Sequence, residues 1–254
     1  MCLKSSHVFM KFFNIKLVII FVASYLLVLV VTAPIQWWLP KIIQPAPSTG
    51  ILLQNPQGNI WQGQVHVLSR EVQPVTVSWD LSPYKLILLQ AAVDFSLSGQ
   101  DIALTGKASF SPLGMRLRQL SGYADEPFVA PLMQQYKTQV TGRLTVQQLA
   151  FNLGWNHSIG DLEGQLVWSG GNAQMSVNRR QQTYQVPMMM LNLQGDSDGW
   201  LGQVLGSQQQ SFMTLSLTPE GRASISVKRL LAEALSIQLP GSTESILDFS
   251  QQVF

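Results

Sequence analysis

The sequence predicts a mainly β protein: a single N-terminal transmembrane helix, then a strongly bent antiparallel β-sheet, a half-barrel or trough, with a few short helices. Three observations carry this. An uncharged, strongly apolar run of nineteen residues, Leu17 to Ile35, stands near the amino end. Beyond residue 50, apolar and polar residues alternate with a period of two over many short stretches. Glycine recurs at the head of five of these stretches, where it marks bulges, bends or close backbone approach.

The apolar run, "LVIIFVASYLLVLVVTAPI", would span roughly 28 Å as a helix, close to the thickness of a hydrocarbon core. Lys4, Lys11 and Lys16 precede it and no acidic residue precedes or interrupts it, so the positive-inside rule keeps the tail cytoplasmic. Trp37 and Trp38 fall where the far interface should lie. A cleaved signal peptide is the weaker rival, because the run exceeds an h-region of ~7–15 residues and bulky tryptophans follow "TAP". The expected organisation is a cytoplasmic tail at 1–16, a transmembrane helix at 17–37, a proline-rich spacer at 38–50 and an exported β-rich domain at 51–254. In a Gram-negative cell that is a single-pass inner-membrane protein with a periplasmic domain.

The spacer carries Pro40, Pro45 and Pro47, which favour an extended polyproline-like strand that stands the domain off the bilayer. In "AVDFSLSG", Val93, Phe95 and Leu97 face one way and Asp94, Ser96 and Ser98 the other; "TGRLTVQQL" and "GRASISVK" behave alike. One face is buried and one wet, as in antiparallel sheets. The recurring glycines are Gly63, Gly106, Gly142, Gly164 and Gly221. Their irregular spacing excludes a solenoid of fixed repeat and suggests a bent sheet. Helical signals are few. "WDLSPYKLILLQ" offers Ser82 as N-cap and Pro83 at the first helical position, and "EPFVAPLMQQY" and "VKRLLAEALSIQ" are the other candidates.

Apolar content of 46%, with seven Trp and eleven Phe, is ample for a core, whereas the 12% of charged residues is about half the usual share. Removing the three tail lysines from the total of 16 Lys plus Arg leaves 13 against 14 Asp plus Glu, so no basic patch points to nucleic acid. The only cysteine, Cys2, precludes a disulfide framework. Ser82-Pro83-Tyr84-Lys85 fits S-x-x-K, but without S-D-N or K-T-G a capping serine explains it better than a nucleophile. His7, His66 and His157 lack metal-ligand spacing, and Asp125-Glu126 before Pro127 suits a helix start better than a catalytic pair. Asn156-His157-Ser158 matches a glycosylation acceptor, which matters only in a eukaryotic secretory route. No catalytic, cofactor-binding or metal residues are therefore assigned. Trp61, between Gly58 and Gly63, is placed to cover bare strand backbone, and Trp79 and Trp168 close alternating segments. Trp61, Gly63, Trp79, Pro83 and Trp168 are the structural or interaction candidates.

The order of anchor, spacer, "GNIWQGQ", "VSWDLSPYKLILLQAAVDFSLSG", "VTGRLTVQQL" and "LEGQLVWSGG" resembles the type II secretion system protein N (GspN) family over essentially the whole chain. Trp79 to Leu86 looks like that family's strand-to-helix junction, and Trp61 with Gly63 like its first-strand signature. The resemblance implies an inner-membrane accessory of the machine that exports folded proteins from the periplasm, acting through contacts with other secretion proteins, without cofactor or catalysis. The alternative expectation is a lipid- or hydrophobe-binding trough of AsmA-like plan, with Met188, Met189 and Met190 in an adaptable apolar lining.

Overall fold

The structure, a computed structural model, describes residues 17–25, 28, 32–37, 51–69, 72–134, 138–155, 159–177, 180–196, 198–237 and 243–252. Thirteen strands form one antiparallel sheet. In spatial order these are β1 (Leu52–Gly58), β2 (Gln62–Leu68), β3 (Val75–Leu81), β4 (Ala91–Gly99), β5 (Ile102–Ser111), β6 (Gly114–Ala124), β8 (Leu144–Gly154), β9 (Ile159–Trp168), β12 (Met189–Asp196), β13 (Gly199–Gly206), β14 (Ser211–Leu217), β15 (Arg222–Lys228) and β16 (Ser245–Gln252). The sheet does not close, and β1 and β16 are its edge strands. β11 (Arg180–Val186), β10 (Gly171–Val177) and β7 (Thr138–Val140) form a second, three-stranded sheet, whose Val140 packs against the cluster around Val75 and Ile102.

Alternation in the chain becomes two chemically distinct faces because the register carries like onto like. Val65, Val77, Leu97 and Leu104 follow one another across β2 to β5, and Leu166, Leu191, Val204, Met213 and Val227 do the same from β9 to β15. On the other face Gln64, Ser78, Ser96 and Thr105 make a polar row. The ladder slips at bulges between β5 and β6, β6 and β8, and β8 and β9. Gly122 and Gly164 adopt φ +144° and +150° there, and a Cβ on Gly122 would lie 1.9 Å from the Ala103 carbonyl oxygen. These are the devices that curve a sheet.

At one end of the sheet the described connecting residues form turns or a short 3-10 helix (Pro83–Leu88), while at the other end the helices α1 (Glu126–Gln134) and α2 (Arg229–Ala234) follow β6 and β15. The 3-10 helix replaces the two α-helical turns expected of "SPYKLILLQ": Leu89 turns left-handed at φ 55° and its N–H and that of Gln90 close the element. Ser82 is extended and makes no side-chain cap. Helix α1 lays Val129 into a cluster with Val75, Ile102 and Ala124, with Phe128, Met133 and Trp168 packed around it. The largest fully buried side chains are Ile102 and Phe212, a thin core consistent with a single sheet covered only locally.

Helical residues occur at 17–25, 28, 32 and 35–37, and among the described residues no helix is long and apolar enough to cross a membrane. Positions 26, 27 and 29–31 of the expected span lie outside the described residues, as does the spacer at 38–50. Ile35, only 4% exposed, packs against Val65, with Leu53, Val67, Val77 and Trp79 around them. Pro34 bridges to Asn59, and Gln36 Nε2 donates to the Pro56 carbonyl at 3.2 Å. Residues on both sides of the spacer therefore meet at β1.

Candidate functional site

The five residues singled out in the sequence do not form one site. Gly63 pairs with Trp79 in the β2–β3 register, and a Cβ on Gly63 would stand 2.5 Å from the Trp79 ring and 2.6 Å from the Gln57 carbonyl oxygen. The ring that lies over the glycine is thus Trp79, from the neighbouring strand, and not Trp61. Phe95 covers Gly106 in the same way one strand pair further on. Trp61 is half-buried in the β1–β2 turn, where its N–H and that of Gln62 donate to Asn59 Oδ1 at 2.9 Å and its carbonyl accepts from Leu81 N–H at 2.5 Å. Pro83 opens the 3-10 helix, exposed. Trp168 lies at the opposite end, beside Leu144 and Met189 in the ladder, with its ring near Gly142.

Asp125 fixes the start of α1. Its carbonyl accepts the N–H groups of Phe128 and Val129, and its carboxylate takes both Arg143 Nε at 2.5 Å and Nη2 at 3.0 Å. The guanidinium sits 4.6 Å from the Tyr123 ring centroid, a cation–π contact. Hydrogen bonding to Asp125, and then its charge, push the Arg143 pKa above its ordinary value. This is a clamp between the β6–α1 junction and the start of β8. It offers no general acid or base.

Two concavities indent the polar face. The larger, about 1510 Å³, runs from Asp94 on β4 to Gln203 on β13. Lys107, Arg118, Gln165 and Asn192 line it between those limits, with Gln165 Nε2 donating to Asn192 Oδ1 at 2.7 Å. The smaller, about 740 Å³, includes Gln64, Ser78, Asp80 and Ser96. Amides, hydroxyls and charges of both signs share these walls with Leu117, Phe151 and Leu193 in the larger hollow and with Trp79 and Phe95 in the smaller, so neither is the wholly apolar trough expected for a lipid. Met189 and Met190 stand on opposite faces, opposite Trp168 and Val167, so the methionine run does not line one groove.

Ser82 and Lys85 are linked only through backbone, Lys85 N–H to the Ser82 carbonyl, while the Lys85 ammonium lies 5.9 Å from the Tyr84 ring. His66 Nδ1 meets Thr76 Oγ1 at 2.9 Å across β2 and β3, and His7 and His157 lie outside the described residues, as does the Asn156-His157-Ser158 acceptor. Among the described residues no group of His, Cys, Asp and Glu is placed to hold a metal ion.

The surfaces left for other molecules are the sheet's edges and rims. On β16 Leu247 and Phe249 are exposed, and among the described residues no strand pairs with its outer side. The sequence model of type II secretion system protein N matches residues 49–239, which is 191 of the 254 positions. The chain belongs to the type II secretion system protein N family. Neither the comparison with curated proteins nor that with solved structures found a match. Within this protein N chain the matched region runs from three residues before β1 to beyond α2, and β16 lies outside it. Sequence reasoning missed β16 as a candidate surface. The available signal was "SILDFSQQ", eight residues with neither glycine nor proline.

Proposed function

We propose that this protein N family member is an inner-membrane-anchored accessory of the type II secretion system, helping export of folded proteins by contacting other secretion components rather than by catalysis. Family membership carries the secretion role. The anchor reading is supported by the uncharged run at 17–35 and by the strongly exposed apolar side chains at 17–22, which would be costly to leave in water.

The contact we assign is strand addition on β16. An added strand is held by main-chain hydrogen bonds, which need no signature side chains, while Leu247 and Phe249 offer apolar contacts on alternate positions. A photo-crosslinking amino acid at 249 or 251 should trap another secretion protein in cells assembling the machine, whereas the same probe at 116, in mid-sheet, should not. Failure of both edge probes to capture a secretion component, with the protein expressed and folded, would remove this mode of contact.

A further inference from the structure

We infer that one end of the sheet, at the tips of the β3–β4 and β5–β6 connections and at Trp155 just after β8, rests in the headgroup region of a phospholipid bilayer. These three places carry an unusual concentration of exposed apolar side chains: Leu88 and Leu89 at 71% and 72%, Leu113 at 83%, with Tyr84 and Trp155 also well exposed. They are neighbours, because Ala91 pairs with Phe110 and Trp155 Nε1 donates to the Ser111 carbonyl at 3.1 Å. Two strand spacings separate successive hairpins, so the row covers roughly 20 Å.

A water-facing row of this size is uncommon unless something covers it. Two features select lipid as the cover. The apolar amino-terminal segment meets the sheet at this same end, where Pro34 bridges to Asn59 in the β1–β2 turn beside the row. The chemistry of the tips is also that of a membrane interface, with aromatic rings, leucines and a single lysine, Lys85, able to reach phosphate while its stem lies in the apolar layer. "SPYKLILLQ" and "SPLG" contain no acid. The next two tips at this end reverse the pattern: Asp196 and Asp198 flank the β12–β13 turn, and Glu220 sits between β14 and β15, all exposed. An anionic lipid surface attracts the first set and repels the second. The sheet therefore stands on its amino-terminal half and lifts its carboxyl-terminal half, with β16, away from the bilayer.

This inference rests on the proposed anchor, and the test separates the two. Full-length protein with Cys2→Ser would carry one new cysteine at a time, Val22→Cys, Leu113→Cys or Asp198→Cys, labelled with an environment-sensitive fluorophore. Each form is reconstituted into phospholipid vesicles containing lipids spin-labelled just below the headgroup. Loss of emission at 22 and 113, with emission at 198 retained, is the expected result. Loss at 22 with 113 as bright as 198 would overturn the rim contact while leaving the anchor intact. Full emission at 22 would remove the anchor and the rim with it, and equal loss at 113 and 198 would overturn the selective seating. All three positions are exposed, so labelling leaves the packing undisturbed.

Discussion

The two edges of the sheet are treated oppositely. On β1 Pro56 lacks an N–H, a bulge breaks the ladder between Gln54 and Gln57, Asn55 is left-handed at φ 48°, and Gln36 bonds the Pro56 carbonyl. These devices blunt an edge against further pairing. β16 also carries a bulge, at Ile246, but it has no proline and no left-handed residue; its single charge, Asp248, is held by the Ser226 and Ser245 hydroxyls, which keep its pKa below the ordinary carboxylate range. One edge is finished by the chain's own amino-terminal segment, and the other is left able to accept a strand. The asymmetry gives the sheet a direction, with a capped side next to residues 33–37 and an open side twelve strands away.

The contrast can be broken first at the capped edge. Ile35→Ala should cost about 2–5 kcal/mol, because the side chain is buried between the segment and β2, and thermal unfolding should report it as a clear drop in Tm. Gly63→Ala is expected to lose about 1–3 kcal/mol, since the new methyl meets the Trp79 ring and the Gln57 carbonyl; urea unfolding would measure it, and Trp79→Leu in the same chain should recover part of the loss. At the open edge Phe249→Lys should change stability by no more than about 0.5 kcal/mol, because the ring is exposed, yet abolish crosslinking to a secretion partner. An equal loss of stability at both edges would mean that β16 is as integral as β1. The smallest effect concerns Asp248. Its depressed pKa means that the ionised form adds stability at pH above the ordinary carboxylate value, and that this is lost as pH falls through the lower folded value. Asp248→Asn should flatten that acid limb of the stability profile, with little change near neutrality.

Much of the sheet was legible because period-two alternation is a local property: the segments around 93–99, 144–150 and 222–228 became β4, β8 and β15. The glycine-headed stretches also fell on strands, with bulges near Gly106 and Gly164. The partner of Gly63 was not legible, because which aromatic ring crosses a glycine depends on cross-strand register, and Trp61, two residues away in sequence, was the wrong neighbour. The docking of Ile35 was hidden for a different reason. A residue suited to the edge of a bilayer is equally suited to an apolar sheet face, so hydropathy alone assigns it to the membrane. β16 escaped notice because its residues 249–252, "FSQQ", break the apolar alternation, and pairing with β15 supplies what the pattern lacks. The lipid alternative gains no support from the fold, because alternation predicts two faces but not which of them forms the walls of the groove.

Strand order has a consequence for how the molecule comes into being. Apart from β6 joining β8 and β9 joining β12, each strand of the large sheet lies beside the strand that precedes it in the chain. Every hairpin can therefore close soon after its residues become available, without waiting for a distant partner, and loop-closure entropy is met in small steps. A chain delivered amino end first can zip up from β1. Pulse proteolysis of chains halted after β6, β9 and β13 should show protection growing hairpin by hairpin rather than arriving all at once.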